Sequence, residues 1–241
     1  MNILIITGGS NGIGKAIAKK YNSENFTVIS ISRSKATNVS FQQITADLSN
    51  TSSAIDAIHM AFSSLILNAI TSITVVNNAG SLGEINTLGN LNSQKIQDII
   101  QLNTTTPLII ANEVIRFTKN LTCKKQIINI SSGAAVNPYA GWSVYCTSKA
   151  AIEMMTKTIA LEQGEFANGV KCIAIKPGVV DTNMQTSIRK TTAAAFKNVQ
   201  RFKDLKENNE LYSPEFVANR IYQIDTLNLV ENGAIVDLRK F

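Results

Sequence analysis

The fold is decided by NILIITGGSNGIGKAIAKKY, residues 2–21. Its apolar run Ile3–Ile6 is typical of a β-strand buried on both faces, and Gly12–Tyr21 has helical periodicity. Between them, the turn TGGSNGIG (residues 7–14) carries four glycines, of which those at positions 8, 12 and 14 form the spacing GxxxGxG. A glycine-rich turn between a strand and a helix lets backbone N–H groups approach a phosphate, whose charge the helix dipole favours. The stretch therefore predicts a nucleotide-binding βα unit, although the spacing GxxxGxG differs from the common GxGxxG and a purely steric role for the glycines is the alternative.

The rest of the chain repeats this alternation of apolar runs and helical segments. The runs are Thr27–Ile31, Ile73–Asn77, Gln126–Ile130, Lys171–Ile175 and Ala234–Val236, with a weaker one at Phe41–Ile44. The helical segments are Thr51–Ile70, Ser93–Phe117 and Trp142–Glu165. Continuous apolar runs indicate strands covered on both faces, so the pattern predicts an α/β fold. We expect a single-domain Rossmann fold, a doubly wound parallel sheet of about seven strands with helices on both faces.

The domain organisation follows from length and composition. The 241 residues include only four prolines, and no linker or internal repeat interrupts them, which predicts one domain over residues 1–241; the glycine turn makes it a nucleotide-binding domain. The polar segment 181–213 follows a Pro-Gly turn, with helical patches such as Thr192–Val199. A long insertion after a parallel strand lies at the edge where ligands bind. We expect a substrate lid at 181–213, with an ordinary surface helix pair as the alternative.

Charge and cysteine usage limit the class of protein. The net charge is +6, but the basic residues are scattered, which favours a solvated surface over a nucleic-acid partner. Three cysteines without a CxxC pair and one histidine argue against a disulfide framework or a metal site. The N-terminus has no basic region before its short apolar run, and no run reaches the roughly 18 apolar residues of a membrane helix. We expect a cytoplasmic protein without a membrane or nucleic-acid partner.

The end of the second predicted strand bears on cofactor choice. An acidic residue there would bind the ribose 2′-hydroxyl of NAD, whereas an arginine accommodates the 2′-phosphate of NADP. The sequence has Ser32 and Arg33 at this position and no Asp or Glu. Arg33 can make charge-assisted bonds to a phosphate, although an exposed arginine at a strand end is the alternative. The pattern favours NADP(H).

A third pattern lies in SSGAAVNPYAGWSVYCTSK, residues 131–149. Tyr145 and Lys149 are four residues apart and share a helix face. We expect the ammonium to lower the pKa of Tyr145 from its ordinary value near 10, which suits a general acid for carbonyl reduction. Ser131 and Ser132 lie upstream on a strand, where neighbouring side chains point to opposite faces. Only one of these serines can therefore face the site.

Taken in order, these motifs resemble the short-chain dehydrogenase/reductase family over nearly the whole chain. YCTSK resembles the family's YxxxK, and Ser132 stands thirteen residues before Tyr145, the usual family separation. The resemblance thus selects Ser132 to stabilise the substrate oxygen, beside Tyr145 and Lys149 as catalytic residues. It adds Asn103, in QLNTTTP, to hold a water that links Lys149 to solvent. Stabilisation of a helix bend is the alternative for Asn103.

The resemblance also implies the residues that bind the cofactor. They lie in the glycine turn, at the end of the second strand, in an acidic pair at the adenine, in NNAG and in the KPG turn that holds the carboxamide, and they include the catalytic pair. The set is Gly8, Ser10, Asn11, Gly12, Ile13, Gly14, Ser32, Arg33, Asp47, Leu48, Asn78, Ala79, Gly80, Tyr145, Lys149, Pro177, Gly178, Val180 and Thr182. Asn11 stands where many NADP-dependent members carry a basic residue, so the NADP(H) interpretation depends on Arg33.

A closer resemblance concerns the substrate. The stretches NISSGAAVNPYAGWSVYCTSK, PGVVDTNMQ and NGAIVDLRKF resemble the family members that reduce benzil to (S)-benzoin, in the sepiapterin-reductase-like branch. This implies an NADPH-dependent reductase of an aromatic or α-diketone carbonyl. Tyr139 and Trp142 would form an aromatic wall beside Ser132, with Met184 and Ile188 opposite. Trp142 could instead anchor the start of its helix.

Other functions stay open at this point. One is a reductase of another small carbonyl compound, such as a pterin side-chain diketone or a 3-oxoacyl thioester. A second is a non-catalytic NADP-binding regulatory protein, against which the retained Ser132, Tyr145 and Lys149 argue. The resemblance further implies a homodimer or homotetramer built on the helices 93–117 and 142–165. Apolar residues there could serve the interface or belong to the core: Ile109, Ile110, Ile152, Met155 and Ile159.

Overall fold

Seven strands and eight α-helices alternate along the chain, in a computed structural model that describes residues 1–241. The strands are β1 (Asn2–Thr7), β2 (Thr27–Ser32), β3 (Gln42–Thr45), β4 (Ser72–Asn77), β5 (Lys124–Ile130), β6 (Lys171–Lys176) and β7 (Ile235–Asp237). The helices are α1 (Gly12–Ser23), α2 (Thr51–Ser63), α3 (Ser93–Ile100), α4 (Thr106–Thr118), α5 (Ser143–Gly164), α6 (Asn183–Arg189), α7 (Val199–Glu207) and α8 (Pro214–Thr226). None of them combines the length and apolar character that crossing a membrane requires.

All seven strands pair in parallel in one sheet of order β3-β2-β1-β4-β5-β6-β7. The continuous apolar run of β1 serves two cores, because neighbouring side chains of a strand point to opposite faces. Ile3 and Ile5 pack against α2, α4 and α5 on one face. Leu4 and Ile6 pack against α1 and α8 on the other. The predicted doubly wound parallel sheet is confirmed.

The strand order reverses between β1 and β4, and the crevice at such a switch point is where ligands bind in open α/β sheets. Thr7, the last residue of β1, joins the two strands there. Its hydroxyl oxygen accepts hydrogen bonds from the backbone amides of Asn78 and Ala79, both at 3.0 Å. The Asn78 side chain donates back to the carbonyls of Thr7 at 3.0 Å and Gly8 at 3.2 Å. The glycine turn is therefore fixed against the end of β4.

Three predicted segments differ from the structure. The helix expected at Thr51–Ile70 ends at Ser63, where the next serine's hydroxyl bonds the Ala61 carbonyl at 2.8 Å and caps the chain. The helix expected at Ser93–Phe117 is interrupted by a π-helix at Gln101–Thr105. Pro107 has no amide to donate to the carbonyl four residues earlier, so the α-helical pattern cannot continue through this region. Finally, helix α8 was missing from the prediction altogether.

The segment 181–213 carries α6 and α7 and closes on itself. Val180 and Tyr212 form a parallel bridge at its ends, with the Asp181 amide 2.9 Å from the Tyr212 carbonyl. The expectation of a helix at Thr192–Val199 is wrong, because α7 begins only at Val199. Phe196 is instead fully buried against Trp142, their rings stacked at 4.5 Å between centroids. The segment thus forms a separate apolar cluster together with the start of α5.

Candidate active site

At its glycines, the turn between β1 and α1 has little room for a side chain. A Cβ added at Gly14 would lie 2.3 Å from the Gly8 carbonyl oxygen and 2.4 Å from the Asn78 amide nitrogen. Gly8 and Gly12 have φ values of +69° and +52°, which L side chains rarely adopt. A Cβ at Gly12 would reach to 3.3 Å from the Thr182 methyl group, across the crevice. The glycines therefore let the backbone line a narrow groove.

The adenosine end predicted from the sequence lies beside this groove. The Ser34 hydroxyl lies 3.3 Å from that of Ser10, whose oxygen also contacts the Asn11 amide at 3.3 Å. Arg33 is exposed, and its charge contributes to lowering the pKa of Asp47 after the hydrogen bonds from Ser49, which contribute most. Hydroxyls and a free guanidinium together at an exposed strand end suit a phosphate.

A cavity of about 330 Å³ continues from the groove and brings together Ser132, Tyr145 and Lys149. Tyr145 and Lys149 are buried on α5, with 8% and 6% of their surface exposed. Lys149 Nζ donates to the Ile130 carbonyl at 2.8 Å and lies 5.7 Å from the centroid of the Tyr145 ring. Ser132 lies in the turn after β5, where its hydroxyl oxygen accepts a hydrogen bond from the Ala134 backbone amide at 3.2 Å.

The two serines separate as strand geometry requires. Ser131 turns to the protein interior, where its hydroxyl donates to Glu153 at 2.8 Å. The same carboxylate pairs with Lys176 at 3.1 Å, so the Ser131 hydroxyl is engaged in a buried polar cluster although the residue also lines the cavity. Ser132 is left as the serine whose hydroxyl is available to a ligand beside Tyr145.

Burial sets the proton affinities of the pair. It raises the pKa of Tyr145 to about 12, against a smaller lowering by the Ser132 hydroxyl. It lowers the pKa of Lys149 to about 8. The expectation that Lys149 lowers the pKa of Tyr145 is therefore wrong, because burial of the phenol dominates the shift and Lys149 is not among the groups that contribute to it.

Asn103 lies at the centre of the π-helix and is 1% exposed. Its side-chain oxygen accepts from the Ser81 amide at 2.9 Å, and its nitrogen donates to the Ser81 carbonyl at 2.8 Å and the Ser148 hydroxyl at 3.1 Å. These bonds tie the helix irregularity to α5 and to the chain after β4. The alternative of a residue that stabilises a helix bend is thus supported by its contacts.

The remaining predicted residues divide between cavity and surroundings. The cavity is lined by most of them: Gly8, Asn11, Gly12, Ile13, Gly14, Asn78, Ala79, Gly80, Tyr139, Trp142, Pro177, Gly178, Val180, Thr182, Met184 and Ile188. Ser10, Ser32, Arg33, Asp47, Leu48 and Asn103 lie outside its lining. Leu48 is instead a core residue, 3% exposed. Trp142 both lines the cavity and stacks on Phe196, so its two proposed roles coexist.

Several cavity residues were missed by sequence reasoning. Leu82 and Phe202 extend the apolar wall, and Gln185 brings a buried side-chain oxygen with no hydrogen-bond partner. Arg201 and Arg239 add two positive charges. Gln185 and Arg239 lie in the quoted stretches PGVVDTNMQ and NGAIVDLRKF, but nothing in either pattern marked them as cavity residues, and for Arg201 and Phe202 only the position of 181–213 after a parallel strand was a signal.

Comparison with known proteins agrees with this geometry. Residues 2–193 match the family model described as short chain dehydrogenase. The chain is 37% identical to the benzil reductase ((S)-benzoin forming) of Bacillus subtilis (strain 168), with 100% of both chains covered. It is 39% identical to the protein of that name from Bacillus cereus, with 98% of each covered. Among solved structures, KRED1-Pglu superposes with a TM-score of 0.84 at 25% identity, covering 98% of this chain and 100% of that one.

Proposed function

Because the chain belongs to the short-chain dehydrogenase family, an oxidoreductase family that uses nicotinamide cofactors, we propose that it is an NADPH-dependent carbonyl reductase. Its substrate would be an aromatic ketone or α-diketone, reduced as benzil is to (S)-benzoin. One observation carries this proposal: a groove made of glycines opens into a cavity where Ser132, Tyr145 and Lys149 meet an apolar aromatic wall. The full-length identity to two benzil reductases supports the choice of substrate class.

The groove suits a dinucleotide because side chains are absent where a pyrophosphate would approach the backbone. Gly8, Gly12, Ile13 and Gly14 would hold the phosphates, with Ser10, Asn11, Ser32 and Arg33 at a 2′-phosphate, Asp47 and Leu48 at the adenine, and Asn78, Ala79 and Gly80 along the ribose. Pro177, Gly178, Val180 and Thr182 would hold the carboxamide. When bound, NADPH supplies the hydride.

The chain itself supplies the proton and the site for the carbonyl. The Ser132 hydroxyl would donate to the carbonyl oxygen and stabilise the charge that grows there. Tyr145, whose high pKa keeps it protonated, would give its proton to the same oxygen. Lys149 would orient the ribose through the N–H donors of its ammonium group. Asn103, held in the π-helix, would bind a water that links Lys149 to solvent and so completes a proton path.

The segment 181–213 is proposed as the substrate lid, with Met184 and Ile188 facing Tyr139 and Trp142 across the cavity. Assembly as a homodimer or homotetramer stays a proposal as well. Of the residues considered for the interface, Ile110, Ile152 and Ile159 are core residues, each 5% exposed or less. The exposed apolar side chains of α4 and α5 are instead Leu108, Met154 and Leu161. Sedimentation of a purely monomeric protein at micromolar concentration would contradict the assembly.

We expect benzil to be reduced with NADPH at a kcat/KM at least about tenfold above that with NADH. Arg33→Gln should lower kcat/KM with NADPH about tenfold and leave kcat/KM with NADH unchanged. The loss is smaller than for a buried charged hydrogen bond, because salt screens the exposed site. Lys19→Gln, which removes the same charge from the surface of α1, is the matched control. Rates follow from the loss of reduced-nicotinamide absorbance, and chiral chromatography identifies the benzoin. Tight NADPH binding without reduction of any ketone would contradict a reductase.

The pH dependence should report Lys149. Its pKa is lowered to about 8, so the side chain is charged below that pH and neutral above it. If the ammonium is required, kcat/KM falls as pH rises through about 8, because kcat/KM reports ionisations of the free enzyme. Tyr145, with a pKa of about 12, keeps its proton over this range. In Lys149→Arg the guanidinium stays charged, so residual activity should lack the decline; the same decline in that variant would exclude Lys149 as its source.

A further inference from the structure

The charge of the cavity is uneven. No acidic residue lines it, whereas three cationic residues do: Lys149, Arg201 and Arg239. Lys149 has a place in the proposed reaction beside Tyr145. Neither arginine has one, and both lie away from the glycine turn. The neighbour of Arg201 is Tyr139. Arg239 lies between Gly133, directly after Ser132, and Gly178 of the Pro-Gly turn, where an added Cβ would be 3.4 Å from its Cγ. The excess charge is therefore on the side where a substrate would enter.

Arg201 lies on α7, where its Nη1 donates to the Tyr139 hydroxyl at 3.1 Å. It forms no ion pair, and the nearby Asp204 is bonded to Gln200 at 2.8 Å. A phenol restrains the guanidinium without neutralising it. Arg201 thus presents a full charge and unused N–H donors at the cavity.

Arg239 follows β7, from the far end of the chain. Its Nε and Nη2 donate to the two carboxylate oxygens of Asp237 at 2.8 and 2.5 Å. Asp237 does not line the cavity, so this pair holds the guanidinium from behind while Nη1 stays without a protein partner. A Cβ added at Gly133 would lie 3.7 Å from Arg239 Nη2. The guanidinium therefore lies against the residue that follows Ser132, whose hydroxyl is proposed to bind the carbonyl oxygen.

We propose that the physiological substrate carries a carboxylate, which Arg201 and Arg239 bind while its apolar body lies against Trp142 and Phe202. This inference rests on the proposed carbonyl reductase and narrows its substrate class. A guanidinium matches the planar geometry of a carboxylate. The low-dielectric walls focus the field of the unpaired Arg201 charge into the cavity, while Arg239, whose charge is paired with Asp237, adds the N–H donors of Nη1. Surface arginines that serve only solubility would not need to be held in place. Here α7 and the segment after β7, which are distant in sequence, each hold an arginine at the same cavity.

The test compares benzil-4-carboxylate with its methyl ester, which has nearly the same shape and no charge. The wild-type kcat/KM should favour the acid at least about tenfold, and added salt should reduce that preference. Arg201→Gln and Arg239→Gln should each reduce the acid-to-ester ratio about threefold or more, and the double variant should bring it near one. Lys197→Gln removes a charge from the same segment outside the cavity and should keep the ratio. A wild-type ratio near one, with the ester turned over, would overturn the carboxylate site but leave the reductase.

Binding gives a readout that does not need turnover. Trp142 is the single tryptophan of the chain and lines the cavity, so its fluorescence reports ligands there. The acid should quench it at lower concentration than the ester, and the double variant should lose the difference. If neither compound is reduced but the acid still binds more tightly, the proposed reaction fails and the carboxylate site stands. Equal binding of both compounds would reject the site whatever the activity.

Discussion

Replacement of Tyr145 by phenylalanine is expected to lower kcat for ketone reduction about 10²- to 10⁴-fold, the range lost when a general acid is removed. The phenol is buried in the cavity with a pKa of about 12, so it holds its proton at any pH at which the protein is assayed. Phenylalanine keeps the ring that packs against Trp142 at 5.8 Å between centroids. Folding and cofactor binding should therefore survive the loss of the proton donor.

The measurement is the rate of loss of reduced-nicotinamide absorbance at saturating substrate, with NADPH affinity measured separately by calorimetry. Tyr222→Phe is the matched control, since it removes a phenol hydroxyl that contacts Glu24 at 3.5 Å on the far side of the sheet. That variant should stay within about twofold of wild type, as is usual for surface substitutions. Tyr145→Phe with more than a tenth of wild-type kcat would assign the proton to another group.

Gly14→Ala should weaken NADPH binding about 10- to 100-fold and destabilise the fold. A Cβ at this position would lie 2.3 Å from the Gly8 carbonyl oxygen, and the backbone cannot yield without moving Asn78 from the end of β4. Overpacking of this kind costs about 1–3 kcal/mol, and each 1.4 kcal/mol is tenfold in affinity. Calorimetric titration and thermal unfolding measure the two effects.

Gly164→Ala separates this effect from glycine replacement in general. Gly164 ends α5, and a Cβ there would meet only the Asn232 side chain at 3.8 Å. Alanine favours helix, so the control should bind NADPH normally and be as stable as wild type or slightly more so. Normal NADPH affinity in Gly14→Ala would show that the turn does not hold the cofactor's phosphates.

Local patterns were enough for most of the fold because the central strands are covered on both faces. In β1 every residue from Ile3 to Ile6 is fully buried, so the run carries an unbroken apolar signal. Helix α8 has weaker signals in the sequence, and it was not predicted. Ser213 caps it by accepting from the Phe216 amide at 3.1 Å, and Pro214 occupies the first turn. These start signals lay at the end of a polar segment, where a loop was the simpler interpretation.

The site divides in the same way. For residues close in sequence, the spacing was enough to predict the site. Tyr145 and Lys149 are four positions apart, and the helix brings both to one cavity. The π-helix around Asn103 was out of reach: Pro107 excludes a continuous α-helix, but the bonds that hold Asn103 in place come from Ser81 and Ser148, in other parts of the chain. Arg239 was out of reach for the same reason, as it meets Gly133 only after the sheet is complete. The pKa of Tyr145 depends on burial, which spacing does not reveal.

The Val180–Tyr212 bridge has a consequence for how such a protein can diversify. The bridge holds the two ends of the segment together outside the sheet, so everything between them is a closed module, in which Phe196 packs in an aromatic cluster shared with Trp142 and Tyr145. Recombination that exchanges this module moves no strand and leaves the glycine turn, Ser132 and Tyr145 in place. A new substrate range can thus be acquired by a single exchange of this module, provided that the incoming segment keeps Thr182 and the packing against Trp142 and Tyr145.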